Sequence, residues 1–65
     1  MYIVKEYKQG SFLGHKSFLI EEDSIEYANM CLRQEKGIEV IVVLLDYDDC
    51  ENLVEQIIYK IKREE

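Results

Sequence analysis

The chain has 65 residues, a formal net charge of −6 and apolar residues at 48% of its positions. A domain of this size buries only about 60% of its unfolded surface, so we expect one small core that gains from an oligomeric interface. The acidic balance argues against direct binding to nucleic acid or an anionic membrane, because phosphate contacts depend mainly on Lys and Arg. Without a signal-peptide pattern or an apolar run of about 18 residues, the sequence predicts a soluble, cytoplasmic protein that does not contact a membrane.

The first twenty residues predict a β-hairpin. Residues 2–7 (YIVKEY) carry β-branched and aromatic side chains at alternating positions, which is typical of a strand. Residues 8–10 predict a turn in which Gly10 takes a positive φ. Residues 11–20 predict the returning strand, and Gly14 within it indicates a bulge or a close backbone approach.

Residues 24–36 predict an amphipathic helix. Asp23, with Glu26 three residues later, has the spacing of a capping box. Gly37 is well placed for the left-handed conformation that ends many helices. The apolar side chains that share one stripe are Ile25, Ala28, Cys31 and Leu32.

Residues 38–47 predict a strand that is apolar on both faces. Two further signals follow it, Asp48 as a helix cap and Glu51 three residues later. They introduce a second predicted helix, whose helically spaced apolar positions are Cys50, Leu53, Val54, Ile57, Ile58 and Ile61. The predicted fold is therefore a single α+β domain over residues 1–65 in ββαβα order, with a small three-stranded mixed sheet and two helices mainly on one face.

The third predicted strand, residues 38–47, is at the edge of such a sheet wherever it pairs. An apolar edge strand is prone to aggregation unless it is covered or paired. We therefore expect the sheet to continue across a homodimer through this strand. The predicted interface residues are Ile38, Val40, Ile41, Val42, Val43 and Leu44. A covering partner chain, or a monomer with a partly exposed edge, are the alternatives.

Acidic residues gather at one predicted end of the molecule, because both predicted helices run antiparallel to strand 38–47 and begin at the same end. The residues expected there to contact a partner are Glu22, Asp23, Glu26, Asp46, Tyr47, Asp48, Asp49 and Glu51. Helix capping and the helix dipole can account for these carboxylates without a partner. A basic protein partner, such as one that binds nucleic acid, is the functional interpretation.

Three functions agree with this pattern. The first is a non-catalytic regulatory protein of the inhibitor or antirepressor type, a size common in mobile genetic elements, that occupies a site on a larger basic protein. The second is a dimer that binds or sequesters a small ligand at its interface. The third is an enzyme with a divalent cation held by Asp46, Asp48 and Asp49 with Glu22 or Glu26. The sequence predicts no catalytic residue, cofactor or metal ligand, because His15, Cys31 and Cys50 lack a local catalytic neighbour.

Overall fold

The computed structural model describes residues 1–64, which form four strands and one helix. The elements are β1 (Tyr2–Lys8), β2 (Ser11–Phe18), α1 (Glu21–Gln34), β3 (Ile38–Tyr47) and β4 (Leu53–Lys62). The strands form one antiparallel sheet in the order β2-β1-β3-β4. The chain is α+β as predicted, but the predicted ββαβα order with a three-stranded mixed sheet and two helices is wrong. Within residues 1–64, no helix has the length and apolar character needed to cross a membrane.

The β1–β2 hairpin is confirmed, and its turn explains how the two strands stay in register. Lys8 pairs with Ser11, so that only Gln9 and Gly10 lie between the strands. Both have positive φ, 51° and 83°. Positive φ at both central residues defines a type I′ turn, whose twist matches that of the strands. The pairing shifts between Glu6 and Tyr7, which is a bulge beside Gly14, as the sequence predicts.

Helix α1 begins earlier than predicted and is not capped by Asp23. It starts at Glu21, with Ile20 in the N-cap position and no side-chain hydrogen bond from the cap. Three acidic residues in the first turn, Glu21, Glu22 and Asp23, are favourably placed near the positive end of the helix dipole. The buried Ser24 hydroxyl donates to the Glu21 carbonyl oxygen at 2.6 Å. The helix ends at Gln34, and Gly37 has the predicted positive φ, 75°.

The core lies between α1 and one face of the sheet. Val4, Val40 and Val42 are fully buried on the sheet side. The helix contributes Ala28, Cys31 and Leu32 to the same cluster, which confirms most of the predicted stripe. Ile25, also predicted for the stripe, is only half-buried.

The segment predicted as a second helix is instead strand β4. Asp48 accepts backbone hydrogen bonds as expected of a cap, but from the N–H groups of Cys50 and Asn52, both at 2.9 Å, which close a turn. Side-chain bonds of this kind offer the backbone an alternative to a helix. A bulge then shifts the pairing, because Val42 faces Tyr59 whereas Val43 faces Ile57. The extra residue, Ile58, breaks the two-residue alternation of side chains between the two faces of the strand.

Strand β3 is at the centre of the sheet, hydrogen-bonded to β1 on one side and to β4 on the other. The expectation of an exposed edge strand is therefore wrong. Because the backbone groups of β3 are used within the chain, the sheet cannot continue into a second chain through them. This removes the argument for a dimer interface made of Ile38, Val40, Ile41, Val42, Val43 and Leu44.

Candidate functional site

The most prominent surface feature is the end of the β3–β4 hairpin, which extends beyond the rest of the sheet. The last pair between β1 and β3 is Tyr2 with Leu44, and the Leu45 N–H donates to the Met1 carbonyl oxygen at 2.8 Å. Beyond that bond β3 pairs only with β4. We call residues 45–55 the acidic arm. At about 3.3 Å per residue, Asp48 lies roughly 13 Å beyond the level of Leu44.

The charge of the acidic arm has a single sign. Residues 45–55 contain no Lys, Arg or His. The carboxylates of the arm are Asp46, Asp48, Asp49, Glu51 and Glu55. Glu55 is paired with Lys5, and the other four carboxylates still concentrate most of the molecule's excess negative charge at one end. Such a field attracts a basic surface.

Two of these carboxylates also accept hydrogen bonds from the backbone, and those of Asp48 hold the turn together. Asp48 accepts hydrogen bonds from backbone N–H groups, first of Asn52 and also of Cys50, and these bonds lower the pKa of its carboxyl group. The Asp46 carboxylate accepts from the Tyr47 N–H at 2.8 Å. Glu51 has a positive φ of 62°, and its N–H donates to the Asp48 carbonyl oxygen. These hydrogen bonds fix the conformation of the turn, and the side chains of Asp49 and Glu51 lie exposed on it.

Apolar side chains lie exposed among the acidic ones. Tyr47 and Leu53 face each other across the two strands of the arm. They are 68% and 59% exposed. Together with Met1, Leu45 and Asp46 they line a shallow groove of about 420 Å³. An aromatic and an aliphatic side chain beside a groove are typical anchors of a protein interface.

The start of helix α1 provides a second acidic group at the same end of the molecule. Phe18, just before the helix, pairs with Tyr2, which in turn pairs with Leu44 at the base of the arm. Glu22, Asp23 and Glu26 lie exposed in the first turns of α1. The topology therefore brings all the predicted partner-binding residues to one end, but in two groups, one at the helix start and one on the arm.

The alternatives that need a metal ion or an interface ligand gain no geometric support. Among residues 1–64 no three or more His, Cys, Asp and Glu side chains are grouped closely enough to hold a metal ion. The ligand site expected at a dimer interface depended on β3 as an edge strand, which the sheet order contradicts.

A partly buried cluster of polar side chains beneath α1 was not predicted. The Cys31 thiol donates to the Glu6 carboxylate at 2.8 Å, and burial, followed by the nearby carboxylate, raises the pKa of the thiol to about 11. Burial also raises the pKa of the adjacent Tyr27 hydroxyl to about 12. A thiol with this pKa stays protonated at neutral pH and is a poor nucleophile. The apolar stripe predicted the burial of Cys31, but no local signal indicates Glu6 as its partner.

The face of the sheet opposite the helix, which we call the open face, carries aromatic and basic residues that sequence reasoning also missed. The Tyr7 and Phe12 rings lie 5.5 Å apart, and the His15 ring stacks on Phe12 at 6.3 Å. Two lysines of this face are paired with carboxylates, Lys5 with Glu55 at 3.3 Å and Lys60 with Glu39 at 3.9 Å. The pairing leaves little excess positive charge for a nucleic-acid backbone.

No protein-family model matches the chain, and neither a curated protein nor a solved structure is significantly similar to it.

Proposed function

We propose that this protein is a non-catalytic regulatory protein that binds a basic site on a larger protein through its acidic arm. The observation that carries the proposal is the composition of residues 45–55, with five carboxylates, no basic residue and exposed Tyr47 and Leu53. A cytoplasmic inhibitor or antirepressor would act in this way, by occupying the partner's functional site.

The arm combines the two features that a protein interface requires. Exposed Tyr47 and Leu53 supply apolar area that a partner pocket can bury, and buried aromatic anchors contribute most of the affinity in many interfaces. The surrounding carboxylates supply charge complementarity, which mainly raises the association rate and excludes acidic partners. Shape supports the same conclusion, because a two-stranded projection can enter a cleft that a flat sheet cannot.

The fold does not account for the exposed apolar side chains of the arm. A two-stranded hairpin is only marginally stable in water, and burial of its side chains against other elements normally stabilises it. Tyr47 and Leu53 are not buried against any element of this chain. Contact with a partner would supply that burial.

The test compares capture of proteins from the native host by the immobilised chain and by two matched variants. The first variant, D49N/E51N, removes two negative charges from the turn and spares Asp46 and Asp48, whose carboxylates bond to the backbone. The control, S17K/Q34K, makes the same change in net charge at exposed positions outside the arm. The captured proteins are identified by mass spectrometry, and their affinities are then measured by titration with purified protein.

We expect a basic protein to bind the wild type and the control, and to bind D49N/E51N at least about tenfold more weakly in low salt. A Y47A variant should weaken the same complex through faster dissociation, because an anchor acts mainly on the dissociation rate. Equal affinity of all four chains for every captured protein would refute the role of the arm.

A further inference from the structure

We propose that β4 forms the interface of a homodimer, in which two β4 strands pair antiparallel about a twofold axis and join the sheets of two chains. Strand β4 lies at the edge of the sheet and pairs only with β3 within the chain. It runs over ten residues and exposes Leu53, Val54 and Ile57. A long, uncovered edge with exposed apolar side chains is a template for pairing with another strand.

The hydrogen-bond pattern identifies which residues of β4 are free to pair. The Arg63 N–H donates to the Ile38 carbonyl oxygen, so the backbone polar groups of Arg63 point toward β3. The Leu45 N–H donates to the Met1 carbonyl oxygen, so the backbone polar groups of Leu45 point toward β1. Successive residues of an antiparallel strand alternate in this direction. Tracing the alternation through the register of β3 and β4 gives the residues whose backbone groups point away from the sheet. They are Leu53, Glu55, Ile57, Lys60 and Lys62.

These five side chains lie on the same face of the sheet. Each pairs with an odd-numbered residue of β3 between Glu39 and Tyr47, and all of those lie on the open face. The extra residue at Ile58 gives Lys60 and Lys62 this orientation, because in an unbroken alternation they would lie on the helix side with backbone groups that point toward β3. A twofold axis perpendicular to the sheet therefore keeps both helices on one side of a continuous eight-stranded sheet.

The charges of β4 are complementary to those of a second copy. The acidic residue Glu55 lies in its first half, whereas Lys60 and Lys62 lie in its second half. Antiparallel pairing centred on or near Ile57 places Glu55 opposite Lys60 or Lys62 of the other chain. Opposite charges across strands stabilise pairing, and like charges destabilise it.

The same arrangement supports the acidic arm. In one chain the arm has only two strands, because β1 ends at its base. In the dimer, the second half of the partner's β4 lies beside the first half of this one and adds a third strand to the arm. Three strands are far more stable than a lone hairpin.

The opposite edge of the sheet fits a second copy less well. Strand β2 has an internal Gly14, which weakens a strand. Its charged and titratable residues are Lys16 and His15, with no Asp or Glu. Two copies of β2 would therefore bring only like charges together.

The dimer interface shares Leu53 and Glu55 with the acidic arm, but the two proposals can be tested separately because Asp49 and Glu51, which the arm variant changes, lie on the turn outside β4. The test uses sedimentation equilibrium of the full chain through the micromolar range, with two charge-swapped variants, E55K and K60E/K62E. We expect the wild type to be a dimer. For each variant alone, we expect the dissociation constant of the dimer to rise about tenfold or more. An equimolar mixture of the two variants should recover the dimer, because each then faces its opposite charge.

Circular dichroism of each variant verifies that the monomer remains folded, since Glu55 also pairs with Lys5 and Lys60 with Glu39. The control, S11K/S17K, makes the same charge change as E55K on the edge strand β2 and should leave the dimer intact. A monomeric wild type would overturn the proposal, and so would a mixture that fails to recover the dimer. A wild type that forms the dimer but binds no basic protein would instead count against the function of the arm alone.

Discussion

Arg63 connects the end of β4 to the end of helix α1, and its removal gives a sharp test of the fold. One guanidinium nitrogen donates to the carbonyl oxygens of Leu32 and Arg33 at 2.7 and 3.1 Å. These are among the last carbonyls of the helix, which lack partners within it. A positive charge at this end also interacts favourably with the helix dipole.

The expected cost follows from those contacts. A hydrogen bond from a charged donor contributes about 1.5–3 kcal/mol, and the dipole interaction adds about 0.3–1 kcal/mol. Because Arg63 is partly exposed, we take the lower part of this range for the pair of bonds. We expect R63M, which keeps an apolar stem, to lower the free energy of unfolding by about 2–3 kcal/mol. For a domain of this size that corresponds to a fall in Tm of about 10–20 °C.

The assay is urea denaturation followed by circular dichroism, with all chains at one protein concentration because a dimer makes stability depend on concentration. The control is K36M, which removes a positive charge from the exposed segment just past the same helix end. We expect K36M to change the free energy of unfolding by no more than about 0.5 kcal/mol. Equal effects of R63M and K36M would refute the assigned role of the two carbonyl bonds.

Three further predictions concern the turn, the thiols and the core. Q9N should raise the free energy of unfolding by up to about 1 kcal/mol in thermal denaturation, because Asn tolerates the positive φ of a type I′ turn better than Gln, and no gain would argue against that turn. At neutral pH a thiol reagent should label the exposed Cys50 quickly and the buried Cys31 only slowly, and mass spectrometry of the labelled peptides distinguishes the two. Because the pKa of Cys31 is raised in the folded state, the stability it contributes is complete below its ordinary value of 9.0, and unfolding titrations should show it declining as the pH rises toward about 11. V42A should lower the free energy of unfolding by about 2–3 kcal/mol in urea titrations, whereas V54A, at an exposed position, should change it by less than about 0.5 kcal/mol.

The first half of the chain was predictable because its signals are local. The alternation of residues 2–7, the turn at Gly10 and the apolar stripe of α1 each depend on near neighbours in sequence. Strand β3 was predicted with its observed bounds, residues 38–47, since its apolar run has no competing interpretation. Helix α1 was displaced by about one turn at its start, because Asp23 resembles a cap and the structure uses no side-chain cap.

Strand β4 was missed because two local signals favoured a helix. The bulge at Ile58 changes the alternation, so that Val54, Ile58 and Ile61 have the spacing of a helix although they belong to a strand. Asp48 has the chemistry of a cap but closes a turn. The β-branched and aromatic residues near the end, Ile57 and Tyr59 among them, were the signal that favoured a strand.

The missing strand also explains the wrong dimer interface. A strand that is apolar on both faces belongs at the centre of a sheet, which conflicted with its position in a three-stranded one. Strand β4 of the same chain pairs with the edge of β3 that a three-stranded sheet would leave free, and so places β3 at the centre. The acidic end was predictable for a simpler reason, because α1 and β3 run in opposite directions and the start of one lies near the end of the other.

The strand order has a consequence for how the chain folds. The pairs β1–β2 and β3–β4 are hairpins, whose partners lie close in sequence, and only the pairing of β1 with β3 joins distant segments. Closing that long loop carries the main entropic cost, which slows folding. Changes that weaken the contact of Val4 with Val42 should therefore slow folding, whereas changes in the arm should mainly speed unfolding. Helix α1, which links β2 to β3 and covers this seam, brings the two hairpins together.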